Sequence, residues 1–185
     1  MNNSYILILF ACTLLLISCS GEETDITPQI EGDTTQEEFF ANLFELCGET
    51  YSGEATFPED TSNDLVGADL MATVQTCTEE QIQIALSADG DQSRTWVISR
   101  TENGLRLRHE HVNPDGTPHD TTGYGGYATD EGSATRQYFA ADDSTANMIP
   151  EAETNVWMLD IGNDQLTYYL ERNNEPRFRA EMTKN

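Results

Sequence analysis

The chain has 185 residues, and its 33 Asp and Glu against 9 Lys and Arg give a net charge of −24 at pH 7. No Lys or Arg precedes Arg94, so the first half of the chain carries only acidic charge. Such a chain repels phosphate backbones and anionic membrane surfaces, which excludes nucleic acid as a partner and is typical of a solvated acidic surface.

The N-terminus has the pattern of a lipoprotein signal peptide. Ile6–Ile17 is an apolar run too short to span a bilayer but suited to the core of a signal peptide. It ends in the letters LISC, which resemble the lipobox of bacterial lipoproteins, although the preceding MNNSY has no Lys or Arg. The resemblance implies that residues 1–18 are removed and that Cys19 is acylated. The protein would then be anchored by lipid alone to the outer membrane of a Gram-negative bacterium, on its periplasmic side or at the cell surface. The alternative is an ordinary secretory signal with a chance cysteine.

Two further segments precede the strands. Residues 19–36 are acidic and polar with no aromatic side chain, and we predict a flexible tether. In residues 37–49, apolar side chains recur at helical spacing: Phe40, Leu43, Phe44 and Cys47. This pattern predicts an amphipathic helix that stops at Gly48 and covers one end of a barrel or lies across a sheet.

From residue 50 onward the polarity alternates with a period of two. The predicted strands are Thr50–Thr56, Asp69–Cys77, Gln81–Leu86, Arg94–Thr101, Leu105–Val112, Thr117–Ala128, Ala134–Phe139, Asn155–Ile161, Leu166–Arg172 and Arg177–Thr183. Short Gly, Asn and Asp turns join most of them, with one longer connection at Asp142–Glu153. Short strands with hairpin links predict a mainly β fold, an antiparallel meander of nine to ten strands that closes into a barrel. Residues 37–185 are predicted to form this single domain, with the helix at its N-terminus.

The Asn103-Gly104 turn sets the register of the central hairpin. Asn-Gly favours a two-residue loop, which predicts the pairs Glu102–Leu105, Arg100–Leu107, Ile98–His109 and Trp96–His111. One face then carries Trp96, Ile98, Arg100, Leu105, Leu107, His109 and His111, and the opposite face is polar. The alternative is a three-residue loop with a bulge at Gly104, which would turn Val97, Ser99 and Thr101 inward.

The 4 cysteines divide into two groups. Cys12 would leave with the signal peptide and Cys19 would carry lipid, so Cys47 and Cys77 remain. Two cysteines in an exported domain usually pair, and we predict a disulfide that joins the end of the helix to the second strand. A catalytic thiol would need a basic neighbour, which this part of the sequence lacks.

The 3 histidines of the chain are predicted to share one face of adjacent strands. The Asn113–Gly116 turn has Gly in the bulge position, which places His119 opposite His111. His109 lies two residues before His111 on the same face, and histidines so spaced can share a zinc ion. His109, His111 and His119 are therefore a candidate metal site, with zinc as the cofactor considered. The alternative is a set of solvated polar residues at the barrel mouth.

The alternation also predicts a ligand cavity inside the barrel. Aromatic and apolar side chains recur along successive strands as they do in barrels that bind small ligands. An inward Arg100 would need an anionic partner, supplied either by a ligand or by the protein. The predicted ligand contacts are Trp96, Arg100, His109, His111, Tyr124, Trp157 and Tyr168.

The run RTWVISRTENGLRLRHEH, with YGG after it and TNVWMLDI near the C-terminus, resembles a family of uncharacterised bacterial secreted proteins and lipoproteins. The architecture is similar to the calycin (lipocalin-like) barrels, which bind small hydrophobic molecules, although the Gly-x-Trp signature of lipocalin first strands is missing. The family implies no activity, and no catalytic motif is present.

We hold three hypotheses for function. The leading one is a non-catalytic barrel that binds a small anionic or hydrophobic ligand. The second is an enzyme that uses His109 or His111 as acid–base, with or without a metal. The third is a structural surface protein whose barrel is filled by its own side chains. An open cavity that reaches Arg100 would favour the first hypothesis, and a solid core would favour the third.

Overall fold

The computed structural model describes residues 31–58, 63–162 and 164–185. The predicted signal peptide, the acylation site Cys19 and most of the predicted tether lie outside the described residues. Within them, no helix has the length and apolar character needed to cross a bilayer.

Ten antiparallel strands form one closed barrel, in which each strand pairs with the next along the chain and the last closes on the first. The strands are β1 (Thr50–Phe57), β2 (Leu70–Cys77), β3 (Gln81–Ala88), β4 (Asp91–Thr101), β5 (Gly104–His111), β6 (Tyr124–Ala128), β7 (Arg136–Ala141), β8 (Asn155–Asp160), β9 (Gln165–Arg172) and β10 (Glu175–Lys184). The helices are α1 (Glu31–Glu45) and α2 (Asp143–Met148), the latter followed by a 3-10 turn at Pro150–Ala152. The predicted closed antiparallel meander is confirmed.

Helix α1 plugs one end of the barrel. Its side chains Phe39, Phe40 and Leu43 are buried and belong to the same core cluster as inward residues of the strands, among them Ile98 and Leu107. Burying a side chain of this size contributes about 1.5–3 kcal/mol. These contacts therefore hold the helix in place and fill this half of the interior.

The bounds of α1 differ from those predicted. The helix begins at Glu31, inside the predicted tether. Within it, Gln36 is buried and its Oε1 accepts a hydrogen bond from the backbone N–H of Leu105 at 2.8 Å. A polar local composition gives no sign of this long-range bond. At the other end, α1 ends at Glu45, and in the turn that follows Gly48 has φ +91° and donates its N–H to the carbonyl of Val74 at 2.8 Å.

The predicted disulfide is present. Cys47 and Cys77 are bonded, with a sequence separation of 30. The bridge joins the turn after α1 to the end of β2. In the chain-entropy model, closing a loop of this length stabilises the folded state by about 3.5 kcal/mol.

The central hairpin has the predicted inward face but a different register. Its pairs are Arg94–His111, Trp96–His109, Ile98–Leu107 and Arg100–Leu105, so all the predicted pairs are wrong. The two loop residues are Glu102 and Asn103, and the positive φ falls at Gly104 (+89°) and not at Asn103. The loop therefore lies one residue earlier than predicted. Because the slip is an even number of residues, the same side chains still face the core. A Cβ at Gly104 would also collide with the side chain of Gln36.

The predicted strand Thr117–Ala128 is too long, since β6 begins only at Tyr124. Before it, the chain makes a single bridge, Val112–Pro118, where proline can donate no hydrogen bond. Glycine is required within β6, because a Cβ at Gly126 would collide with the backbone of Ala140 on β7. The long connection at 142–153 holds α2 and the 3-10 turn, which the sequence pattern did not predict.

Candidate functional site

The end of the barrel opposite α1 is open. Consecutive strands run in opposite directions, so β4 and β8 begin at this end while β5 and β9 finish there. A cleft of about 280 Å³ lies between them. Its wall is completed by the residues after α2, Ile149 and Ala152, and by the end of the β1–β2 connection at residues 63–65.

The structure gathers all the predicted ligand contacts except Arg100 in this cleft. They are Trp96, His109, His111, Tyr124, Trp157 and Tyr168. They converge because each occupies an inward position near the open end of its strand. The cleft was not predicted to be confined to one end, and it does not reach Arg100.

Arg100 does not line the cleft. Of the two partners considered for it, a ligand anion or a carboxylate of the protein, the structure shows the second. Arg100 lies at the α1 end of β4, near the end of the strand, where the side chain is exposed. Its guanidinium pairs with Glu37 at 2.7 Å, bonds to the carbonyl of Glu79, and covers the Phe40 ring at 4.0 Å from the centroid. This position ties β4 to α1.

Aromatic rings form the floor of the cleft. Trp96 stacks on Tyr168 with ring centroids 4.5 Å apart, and His109 stacks on Tyr124 at 4.7 Å. Trp157 lies 5.1 Å from His109 and 6.1 Å from Tyr124, and the edge contact of His109 with Tyr168 at 5.8 Å joins the two pairs. Offset and tilted aromatic pairs of this kind are favourable beyond their burial alone. The floor is therefore a rigid and largely apolar surface.

The hydrogen bonds of His109 define its tautomer. Its Nδ1 lies 3.2 Å from the carbonyl of Tyr124, and since a carbonyl can only accept, Nδ1 carries the proton. The Nε2 lone pair then accepts from the hydroxyl of Tyr168 at 2.8 Å. Burial lowers the pKa of His109 to about 3, with His111 adding to the effect. His109 is thus neutral, and both its ring nitrogens are engaged within the protein.

The other titratable rings of the cleft are neutral as well. Burial, followed by the charge of Arg94, lowers the pKa of His111, whose Nε2 lies 3.3 Å from the hydroxyl of Tyr124. Burial raises the pKa of Tyr124 and raises that of Tyr168 well above its usual value. The charged side chains that line the cleft are Arg94, Arg172 and Asp64.

The predicted metal ligands do not converge. The register of the second turn is confirmed, because the N–H of His119 donates to the carbonyl of His111 at 2.9 Å. However, the rings of His111 and His119 are 6.4 Å apart by centroid, and His119 is exposed and accepts from Thr121 N–H at 3.0 Å. Across the described ranges, no group of three or more His, Cys, Asp or Glu side chains is placed to hold a metal. The engaged nitrogens of His109 explain why this histidine cannot serve as a ligand.

Sequence reasoning missed several residues of the cleft. Arg94 continues the alternation of Trp96 and Ile98 by one step, so the inward face could have been extended to include it. Arg172 and Asn155 face each other across β8 and β9. Finding them required the register of this hairpin, which was not assigned from the sequence. The contribution of Ile149 and Ala152 depends on α2, which was not predicted.

The fold and this site define a class of protein: a ten-stranded antiparallel barrel, closed by a helix at one end and with an aromatic-floored cleft at the other. No protein-family model, curated protein or solved structure matches this chain.

Proposed function

We propose that this protein is a lipid-anchored, exported binding protein that holds a small ligand in the cleft at the open end of its barrel. The observation that carries the proposal is the asymmetry of the interior. The α1 half is packed with apolar side chains, whereas the other half has a cleft lined by aromatic and polar groups. The similarity to calycin barrels points the same way.

The cleft suits a small molecule rather than a macromolecule. Its volume of about 280 Å³ is close to the lower end of the range of about 300–1,000 Å³ typical of small-molecule sites. Such sites combine a mostly apolar lining with a few polar groups that orient the ligand. The aromatic floor supplies the apolar lining, and Arg94 and Arg172 at the mouth supply polar groups that can orient a ligand.

The geometry argues against acid–base catalysis by His109. A general base needs a free nitrogen within reach of the substrate and a pKa near the working pH. His109 has neither, because both nitrogens are bonded and burial lowers its pKa to about 3. His109 therefore gives the enzyme hypothesis no support, and His111 is the histidine on which that hypothesis rests.

The proposal is tested with 8-anilinonaphthalene-1-sulfonate (ANS), whose emission rises in an apolar site. We expect the purified protein to bind one ANS molecule saturably. Leu65→Trp, which adds bulk at a half-buried position of the cleft wall, should abolish this binding. The matched control is Met71→Trp, a substitution on β2 at an exposed apolar residue that does not line the cleft.

Three results are possible. Loss of the signal in Leu65→Trp but not in Met71→Trp supports binding in the cleft. Equal binding by both variants, or no saturable binding by the unmodified protein, contradicts the proposal and favours a structural surface protein.

A further inference from the structure

Positive charge is scarce on this chain, and most of it is neutralised. The basic residues that form ion pairs are Arg94, Arg100, Arg106, Arg108, Arg136, Arg179 and Lys184. Among the described residues, Arg172 and Arg177 have no carboxylate within ion-pair distance. Arg177 is exposed and does not line the cleft, whereas Arg172 is half-buried and does. A cation of this kind stands out on a chain with a net charge of −24.

The guanidinium of Arg172 is held in one orientation. Its Nε donates to the Oδ1 of Asn155 at 2.8 Å, and Asn155 is buried and directly opposite it in the β8–β9 register. Its two terminal amino groups have no hydrogen-bond partner in the described part of the chain. A fixed guanidinium with both amino groups available presents parallel N–H donors that match the two oxygens of a carboxylate.

The other charged groups of the cleft do not compete for this role. Arg94 already pairs with Asp91 at 3.2 Å. The carboxylate of Asp64 is exposed and makes no ion pair with a described residue. The rings of Tyr124, Tyr168, His109 and His111 are neutral at pH 7 (see above), so they offer an apolar surface beside the one available cation.

We propose that the ligand is a small monocarboxylate with an aromatic or aliphatic body, an inference that rests on the proposed function. Its carboxylate would bind the amino groups of Arg172, and its body would lie on the floor formed by Trp96, Trp157 and Tyr168. One available guanidinium matches one negative charge. A polyanion would be repelled by the strongly acidic chain as a whole.

The chain supplies its own reporter for the test, because both of its tryptophans line the cleft. Tryptophan fluorescence of the purified protein is titrated with 3-phenylpropanoate and with octanoate, and then with the neutral amides of the same two acids. We expect at least one acid to bind about tenfold or more tightly than its amide, as is usual for a hydrogen bond to a charged group. Arg172→Gln should remove this preference. Arg177→Gln, which removes the other cation without a carboxylate partner, should keep it.

The outcomes separate this inference from the proposed function. Equal affinity of acids and amides, or a preference that survives in Arg172→Gln, overturns the carboxylate assignment but leaves a binding cleft. Binding of ANS without binding of either acid likewise overturns the carboxylate assignment and leaves the binding cleft. If neither ANS nor any acid or amide binds, both proposals fail. Should Arg172→Gln not fold, as judged by circular dichroism, Arg172→Lys replaces it. Lysine keeps the charge without the paired donors, so the preference should fall severalfold, and an unchanged preference overturns the inference.

Discussion

His109 is a buried histidine at the floor of the cleft, with both ring nitrogens hydrogen-bonded. It is 3% exposed, and it bonds to both Tyr124 and Tyr168. In the unfolded chain its pKa would be about 6.5, whereas burial lowers it to about 3 in the folded protein. Between these two values the unfolded state binds a proton that the folded state does not. The free energy of unfolding contributed by His109 is therefore fully present above about pH 6.5 and is lost as the pH falls towards 3.

This shift predicts an acid sensitivity that can be assigned to one residue. Between pH 7 and pH 4, we expect the free energy of unfolding of the unmodified protein to fall by roughly 3 kcal/mol more than that of His109→Gln. Urea denaturation at the two pH values measures the difference, and the contribution of the many carboxylates cancels between the two proteins. His119→Gln is the control, because His119 is exposed. Equal pH dependence of His109→Gln and the unmodified protein would contradict the burial of a neutral imidazole.

The segment after β7 shows how a short helix is fastened to the barrel. Asp142 accepts from Thr145 N–H at 3.0 Å through Oδ1 and thereby caps α2, while Oδ2 accepts from Arg106 at 3.2 Å and also from Arg108. The buried hydroxyl of Thr145 donates to the carbonyl of Gly125 at 2.6 Å and accepts from its N–H at 2.7 Å. These bonds join α2 to β5 and β6, and so position Ile149 in the cleft wall.

Asp142 therefore contributes more to stability than its neighbour. Asp142→Ala removes the cap and leaves the guanidinium of Arg108, whose side chain is 12% exposed, without its carboxylate. We expect a loss of about 3 kcal/mol in the free energy of unfolding. Asp143→Ala, at an exposed position in the first turn of the same helix, should cost less than about 0.5 kcal/mol. Thermal or urea denaturation of the two variants compares them directly, and similar losses would show that the network around Asp142 adds little.

The strands could be predicted because their signal is local. Alternation with a period of two identifies which side chains face inward, and this assignment survived an incorrect hairpin register because the slip was even. Arg100 shows the limit of the method. It obeys the alternation, but it lies at the α1 end of β4, so its partner is Glu37 on α1. The bond from Leu105 to Gln36 joins residues distant in sequence, and Arg172 meets Asn155 only through the register of β8 and β9. Neither partner can be identified from the local sequence pattern.

The cleft and the start of α1 lie at opposite ends of the barrel. Gln36, near the start of α1, contacts Leu105 at the closed end, whereas the cleft opens at the other. If Cys19 is the anchor, the stretch from Cys19 to Glu31 spans at most about 40 Å when fully extended. The acidic net charge of −24 would be repelled by an anionic bilayer. The arrangement favours a domain held by its lipid alone, with the mouth free to meet a ligand in solution.

The lipid anchor can be tested by removing a single thiol. We expect Cys19→Ala, expressed with its full signal sequence in a Gram-negative host, to leave the membrane fraction and lose its acyl modification. The physical reason is that stable attachment needs two or more acyl chains, which an acylated N-terminal cysteine carries and the rest of this acidic chain does not replace. Cys12→Ala is the matched control, because Cys12 lies within the segment predicted to be removed, and this variant should fractionate like the unmodified protein. Mass spectrometry of the mature N-terminus completes the test. An unmodified N-terminus at another position would mean that the LISC sequence is part of an ordinary secretory signal. Membrane association that persists in Cys19→Ala would mean that something other than an acyl chain on Cys19 attaches the protein, and would contradict the prediction.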